Sequence, residues 1–177
     1  RTFQNLHLQL PQYFYLTLQF ELNSMNLKQI TQKDQLDLKK IYFDSIISID
    51  EKIYTSEQKR AWASQAWDNK YFNLSLKEGK GWLINEREKI IAFASRYPNN
   101  RISLLYCRGD SQRKGYGTKL LQKIEKEAIK EGLPCLTTEA SLISYKLFLK
   151  NSWKIIRKEK IIIKNITFER YKMIKNF

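Results

Sequence analysis

The sequence has few of the residue types that bind metals or form disulfide frameworks. Its 177 residues include one histidine, His7, and two cysteines, Cys107 and Cys135. A structural zinc site needs four ligands at close spacing, and a disulfide framework needs several cysteine pairs. We therefore expect no metal, no disulfide framework and no Ser-His or Cys-His catalytic couple.

Long apolar runs are also missing. No stretch reaches the roughly 18 uninterrupted apolar residues of a membrane span, and the start lacks the basic and then apolar regions of a secretory signal. We expect a cytoplasmic protein with no membrane partner. The length and a hydrophobic content of 42% predict a single domain with a sizeable core.

Acidic residues are outnumbered, which gives the chain a formal charge of +14. Clustered basic residues would favour a nucleic-acid partner, because they neutralise phosphates and release counterions. Here the lysines are spread along the chain and alternate with glutamates, as in residues 119–131. We interpret them as a solvated surface and expect no nucleic-acid partner, although a basic nucleic-acid-binding domain remains the less favoured alternative.

The first 24 residues differ from the rest in composition. They are nearly uncharged and rich in Gln, Leu, Tyr and Phe, whereas the sequence becomes lysine-rich and regular after Met25. Residues 1–24 are therefore interpreted as an upstream or artificially added extension, with the domain at 25–177. The alternative is a genuine N-terminal segment, in which Tyr13 to Phe20 could form an additional strand.

Hydrophobic periodicity predicts a mixed α/β chain. In the first half, Thr31 and Ser56 are candidate helix caps, and Trp62 and Trp67 fit either the core or a ligand platform. The predicted elements here are a strand at Leu27 to Ile30, a helix over about 33–48, a helix at Glu57 to Trp67, a hairpin of Gly81 to Ile84 with Lys89 to Ser95, and a strand at Ile102 to Cys107.

The second half continues the alternation. An amphipathic helix carries Leu120, Leu121, Ile124 and Ala128 and stops at Gly132. Runs of β-branched residues then indicate strands. The further predicted elements are a strand at Leu136 to Thr138, a helix near Ser141 to Lys150, and strands at Trp153 to Ile156, Ile161 to Ile163 and Phe168 to Met173.

A glycine-bearing loop separates a predicted strand from a predicted helix. Gly109, Gly115 and Gly117 fall within nine residues. Such a loop directs backbone N–H groups at one point, where the helix dipole also favours anions, and Arg113 and Lys114 add positive charge. A pyrophosphate fits there. The pattern matches neither a Walker loop nor a dinucleotide fingerprint, and glycines that merely turn a strand into a helix are the alternative.

The residues of this loop, Gln-Arg-Lys-Gly-Tyr-Gly-Thr at 112–118, resemble the motif Arg/Gln-x-x-Gly-x-Gly/Ala of the GNAT superfamily. Residues 54–63, 141–153 and 171–175 are similar to other segments of small bacterial members, so the resemblance covers roughly 25–177. It implies the GNAT fold, a central mixed, mostly antiparallel sheet flanked by about four helices. It also implies transfer of acetyl from acetyl-CoA directly to a primary amine.

The resemblance further implies which residues bind the coenzyme. Backbone groups of Leu105, Tyr106 and Cys107 would bind the pantetheine arm. Amides of the loop would bind the pyrophosphate, and Ser144 and Phe148 complete the expected site. The loop residues are Gln112, Arg113, Lys114, Gly115, Tyr116, Gly117 and Thr118. The chain departs from the family at Gly109, where proline is frequent, and at Ser152-Trp153, where Gly-Phe is usual.

Catalytic groups are less clearly marked. Phe148 stands where many relatives have the tyrosine that protonates the thiolate, so Tyr145 and Tyr171 are the candidate acids, although Tyr145 could simply pack its ring. Residues 101–106 contain no carboxylate, which leaves Glu139 as the candidate base or as an ordinary charge ahead of a helix.

These departures keep a second function open, a coenzyme-binding regulatory module without turnover. The identity of the amine acceptor and the choice between monomer and homodimer stay open as well.

Overall fold

The computed structural model describes residues 25–177, so the predictions for residues 1–24 lie outside the described residues. The described chain forms one seven-stranded sheet with helices on both faces. The strands are β1 (Met25–Gln29), β2 (Lys80–Glu86), β3 (Lys89–Arg96), β4 (Arg101–Cys107), β5 (Cys135–Ser141), β6 (Lys154–Ile163) and β7 (Ile166–Asn176). The helices are α1 (Gln35–Ile47), α2 (Ser56–Ala63), α3 (Gln65–Asp68), α4 (Lys70–Lys77), α5 (Tyr116–Lys130) and α6 (Tyr145–Lys150).

The sheet order is β1-β2-β3-β4-β5-β7-β6, and every neighbouring pair is antiparallel except β4 with β5. This confirms the predicted mixed, mostly antiparallel sheet. The parallel pair is short, because only Arg101 with Thr137 and Ile102 with Thr138 are in register. Beyond those residues the two strands separate, and the sheet opens into a gap.

Two tight hairpins connect neighbouring strands, β2 with β3 and β6 with β7. Arg87 and Glu88 between β2 and β3 both have positive φ, as do Lys164 and Asn165 between β6 and β7. Two such residues in succession give the turn whose twist matches paired antiparallel strands. The hairpin predicted from Gly81 to Ser95 is confirmed.

The core lies in two layers, one on each face of the sheet. On β3, Phe93 points toward a layer shared with α1 and α4, whereas Ala92 and Ala94 face a layer shared with α5 and α6. This alternation follows from the period of two along a strand. Leu120 and Ile124 of α5 are completely buried.

The first helices differ from the prediction. Thr55, and not Ser56, caps α2, because its side chain accepts from the Gln58 N–H at 3.2 Å while Gln58 accepts from the Thr55 N–H at 3.0 Å. The predicted helix to Trp67 is broken after Ala63 into α2 and α3.

Helix α4 is absent from the predicted elements. Its N-cap is Asn69, whose side chain accepts from the N–H groups of Tyr71 and Phe72. Phe72 and Leu76 lie one turn apart on its buried side. This capping residue and this spacing were the signals from which the helix could have been found.

The C-terminal elements also required correction. The helix predicted from Ser141 starts at Tyr145, because the Ser144 hydroxyl accepts from the Ser141 N–H and holds the preceding residues in a turn. The runs predicted as two strands, Trp153 to Ile156 and Ile161 to Ile163, belong to the single strand β6, although Trp153 itself lies just before it.

Candidate active site

The gap between β4 and β5 opens into a cavity of about 590 Å³. We call it the coenzyme cavity, after the role that the sequence predicts for this region. Its walls are the separated strands, the loop before α5, and one side of α6. Its volume lies within the range usual for small-molecule sites.

The loop that enters α5 supplies backbone donors to this cavity. Gly115 has φ of 86°, in the left-handed region that favours glycine, and its carbonyl accepts from the Lys119 N–H at 3.1 Å as the helix begins. The N–H groups of Gly117 and Thr118 therefore have no acceptor inside the helix. A Cβ on Gly117 would lie 3.1 Å from Leu147 Cδ2, so glycine also lets α6 approach the loop closely.

Gly109 has a different role from the other two glycines. A Cβ there would lie 2.5 Å from the Ser48 hydroxyl oxygen, and its N–H donates to the Asp44 carboxylate at 3.0 Å. Glycine therefore lets the end of β4 dock against α1. The contact uses the backbone N–H and leaves no room for a Cβ, which accounts for glycine at the position where the family resemblance suggested proline.

All but one of the residues predicted to bind the coenzyme line this cavity. The lining includes Leu105, Tyr106, Cys107, Gln112, Arg113, Gly115, Tyr116, Gly117, Thr118, Ser144 and Phe148. Lys114 is the exception, because its exposed side chain is not part of the wall.

Sequence reasoning missed several wall residues. Ser141, Lys146 and Lys150 line the cavity, and the two lysines lie one helical turn apart on α6. Together with Arg113 they set three cationic side chains against one carboxylate, that of Glu139. The spacing of Lys146 and Lys150 was the signal that could have identified them.

A second cavity, of about 370 Å³, adjoins the first across the gap. We call it the acceptor cavity, after the role that is proposed for it below. Residues common to both linings include Trp62, Leu104, Tyr106, Glu139 and Ser141. Its other walls come from α1, α4, the loop before α2, and the β6–β7 hairpin. The two cavities therefore meet where β4 and β5 part.

Glu139 stands at this junction. Its Oε2 accepts from Arg101 Nε at 2.6 Å, and Arg101 also donates to the Tyr97 carbonyl at 3.2 Å. The side chain of Glu139 is 13% exposed. Glu139 is therefore not the ordinary exposed carboxylate of the alternative interpretation. Its role as a base stays a prediction.

The two candidate acids lie elsewhere. The rings of Tyr145 and Tyr171 pack on each other with centroids 4.5 Å apart, and neither belongs to the lining of the two cavities. Their position gives no support to the acid role, and it matches the packing role weighed for Tyr145. Phe148 is buried in the coenzyme cavity wall.

Two titratable groups on the cavity walls are neutral near pH 7. Burial raises the pKa of Cys107 to about 11, helped by the Asp110 carboxylate, and the thiol contacts the Ser111 carbonyl at 3.3 Å. Burial likewise raises the pKa of Tyr106 well above its usual value. Neither side chain is a thiolate or a phenolate under ordinary conditions.

Among residues 25–177, no group of three or more His, Cys, Asp and Glu side chains is arranged to hold a metal ion. In the same range, no helix is both long and apolar enough to cross a membrane.

Comparisons with known proteins identify the family to which this fold belongs. Residues 43–151 match the family model described as acetyltransferase (GNAT) family. A GCN5-related N-acetyltransferase structure from Rhodopseudomonas palustris is 25% identical, with a TM-score of 0.81 over 87% of this chain and 96% of that one. No curated protein matches the chain at a significant level.

Two further structures share the fold. The paiA N-acetyltransferase from Thermoplasma acidophilum, in complex with coenzyme A, is 18% identical with a TM-score of 0.66, over 87% of this chain and 99% of that one. The putative acetyltransferase yncA from Salmonella typhimurium, with acetyl-CoA, is 14% identical with a TM-score of 0.59, over 86% and 93%. Because the family model covers more than half of its residues, the chain belongs to the GNAT acetyltransferase family.

Proposed function

We propose that the protein is an acetyl-CoA-dependent N-acetyltransferase that moves an acetyl group directly to a primary amine. The observation that carries the proposal is the meeting of two cavities at the β4–β5 gap. One is lined by backbone donors and cations, and the other is lined by side chains that suit an organic acceptor. A coenzyme and an acceptor can therefore approach each other from opposite sides.

The coenzyme would bind through the loop before α5. Amides of Gly117 and Thr118 would donate to the pyrophosphate, a geometry that suits phosphates at helix N-termini. Arg113, Lys146 and Lys150 would add charge around it. Each such exposed contact contributes roughly 0.3 to 1 kcal/mol, so several together can hold the ligand.

The acceptor must lose a proton before it attacks. For a lysine-like amine with a pKa of about 10.4, deprotonation at pH 7 costs roughly 4.6 kcal/mol. Glu139, which borders both cavities, is placed to receive that proton directly or through water. The bond from nitrogen to the acetyl carbon then forms, the carbon–sulfur bond breaks, and the thiolate takes up a proton.

A dedicated acid is not required for the last step. A thiol pKa near 8.5 makes the thiolate a tolerable leaving group. Buried Phe148, in place of a tyrosine, is therefore compatible with turnover. The second function considered, coenzyme binding without turnover, is favoured only by this missing acid and by the lack of a carboxylate on β4.

Calorimetry with acetyl-CoA tests the coenzyme site, and two glycines provide a matched pair. Gly115 and Gly132 both have positive φ, and a side chain at either position would extend into open space, so Glu strains either backbone alike. Only Gly115 lies on the coenzyme cavity. We expect Gly115→Glu to abolish binding through charge repulsion, and Gly132→Glu to bind like the wild type.

Failure of the wild type to bind at high micromolar acetyl-CoA would reject the proposal. Binding without release of thiol for any primary amine would favour the regulatory module instead.

A further inference from the structure

The side chains that line the acceptor cavity indicate which class of amine it would bind. Its aromatic walls come from segments far apart in the sequence. Tyr54 and Trp62 have ring centroids 5.3 Å apart, and Phe168 of β7 lies 6.0 Å from Tyr54 and 6.3 Å from Trp62. All three line the cavity.

A second aromatic group forms another part of the wall. Tyr42 of α1 packs edge-on against Phe72 of α4 at 4.5 Å and against Tyr106 of β4 at 4.6 Å. These residues also line the cavity. Rings on several sides of one cavity suit a ligand that can pack an aromatic or apolar body among them.

Among the residues that line the cavity, the charges of Arg101 and Arg170 balance those of Glu139 and Glu169, in a chain with a formal charge of +14. The two guanidinium groups are each held by a carboxylate. Arg101 donates to Glu139 at 2.6 Å, and Arg170 donates through Nε and Nη2 to Glu159 at 2.7 and 2.6 Å. A carboxylate on the acceptor would have to compete with these ion pairs, and its desolvation would not be repaid.

Two large apolar side chains lie at the rim of the cavity. Tyr71 of α4 and Ile162 of β6 line it, and these residues are 71% and 73% exposed. Large apolar side chains left in solvent at a cavity wall commonly mark a binding surface. A ligand body that extends from the gap would cover them.

We infer that the acceptor is a small primary amine with an aromatic or apolar body and no carboxylate beside the amino group. This inference rests on the proposed function. The amino group lies toward Glu139 at the gap, and the body packs among the aromatic walls.

Thiol release at saturating acetyl-CoA tests the inference. The matched pair of acceptors is 2-phenylethylamine and phenylalanine, which differ only by the carboxylate. Spermidine and a lysine-containing peptide represent the other amine classes. We expect kcat/KM for 2-phenylethylamine to exceed each of the others by about tenfold or more. Equal or better use of phenylalanine, spermidine or the peptide would overturn the inference and leave the proposed function standing.

Exposed rim residues provide variants that do not threaten folding. Tyr71→Ala should raise KM for 2-phenylethylamine several-fold and leave acetyl-CoA binding unchanged, whereas Tyr71→Phe should restore the wild-type KM. Trp67→Ala is the control, because Trp67 is also an exposed aromatic, 50% accessible, but lies outside both cavity linings. An unchanged KM in Tyr71→Ala would contradict the proposed placement of the acceptor.

Calorimetry distinguishes failure of the proposed acetyl transfer from failure of the inferred acceptor class. If the protein binds coenzyme A but acetylates nothing, the proposed transfer fails, and titration of 2-phenylethylamine and phenylalanine into the coenzyme-bound protein still reads the acceptor preference. Tighter binding of 2-phenylethylamine would support the inference, and equal binding would overturn it. If acetyl-CoA does not bind, the proposed function and the inference fall together.

Discussion

The two cavities that meet at the β4–β5 gap are built by different means. The coenzyme cavity takes much of its wall from one continuous loop, residues 111–118, and from one face of α6, and three cations lie on it. The acceptor cavity is assembled from α1, α4, the loop before α2 and the β6–β7 hairpin, and its charges balance. Under the proposed function, the first would recognise an anion through backbone groups, whereas the second would select by side-chain shape.

Replacement of Glu139 tests the point where the cavities meet and should have the largest effect. Glu139→Gln keeps an oxygen that can accept from Arg101 but cannot take a proton. We expect kcat to fall by about 10²- to 10⁴-fold, the usual contribution of a general base, with acetyl-CoA affinity unchanged. Steady-state kinetics and calorimetry measure the two quantities.

Glu127→Gln is the control, since Glu127 is an ion-paired carboxylate of α5 outside both cavities. A kcat for Glu139→Gln within a few-fold of the wild type would remove Glu139 from the mechanism.

Labelling of the Cys107 thiol tests which ligand occupies the coenzyme cavity, because Cys107 lines that cavity alone. Because burial raises the pKa of Cys107 from 9.0 to about 11, its thiolate fraction near pH 8 is about a hundredfold lower than that of an unshifted thiol. Its labelling by iodoacetamide should therefore be slow and should rise with pH up to about 11. Coenzyme A should protect Cys107, and an amine acceptor alone should not.

Cys135 provides the internal control, because it lies outside both cavity linings. Mass spectrometry of the labelled peptides reads the two sites separately. Protection of Cys135, or none of Cys107, would contradict the assignment of the coenzyme cavity.

Ionic strength should change the affinity for the coenzyme more than the KM for the acceptor. This effect should be smaller than those predicted for Glu139→Gln and for thiol labelling. Arg113, Lys146 and Lys150 are exposed or partly exposed, so their attraction for phosphates is screened by salt. At roughly 0.5 kcal/mol each, they predict about a tenfold loss of coenzyme affinity between low and high salt. The acceptor KM should change by less than about twofold, because the acceptor cavity is neutral.

The double variant Lys146→Gln and Lys150→Gln should flatten this salt dependence, whereas Lys126→Gln on the exposed face of α5 should not. A salt response as large for the acceptor as for the coenzyme would erase the distinction between the cavities.

The same difference explains what the sequence could predict. The coenzyme loop is local, so Gly115, Gly117 and their neighbours could be recognised within a few residues of one another. The acceptor cavity depends on contacts such as Tyr54 with Phe168, which are distant in the sequence and follow only from the complete fold. Arg101 was not predicted as a partner of Glu139, because that contact requires the parallel pairing of β4 with β5.

Secondary structure shows a similar division. The hairpin of β2 with β3 and the buried stripe of α5 were predicted because each depends on residues close in sequence. The break between α2 and α3 was not, since Trp67 continues the helical spacing across Ser64, whose hydroxyl donates back to the Ala61 carbonyl at 2.9 Å.

The short pairing of β4 with β5 also bears on how the protein unfolds. Within the sheet, strands β1–β4 are joined to strands β5–β7 by few contacts. These are two residue pairs, the Arg101–Glu139 ion pair, and hydrogen bonds from Thr138 Oγ1 to the Ile102 carbonyl and from the Thr137 N–H to the Asn100 carbonyl, both at 2.9 Å. The two halves are otherwise held together by the core layer that they share with α5. A ligand that spans the gap contacts both halves, so it stabilises them jointly and makes their unfolding more cooperative.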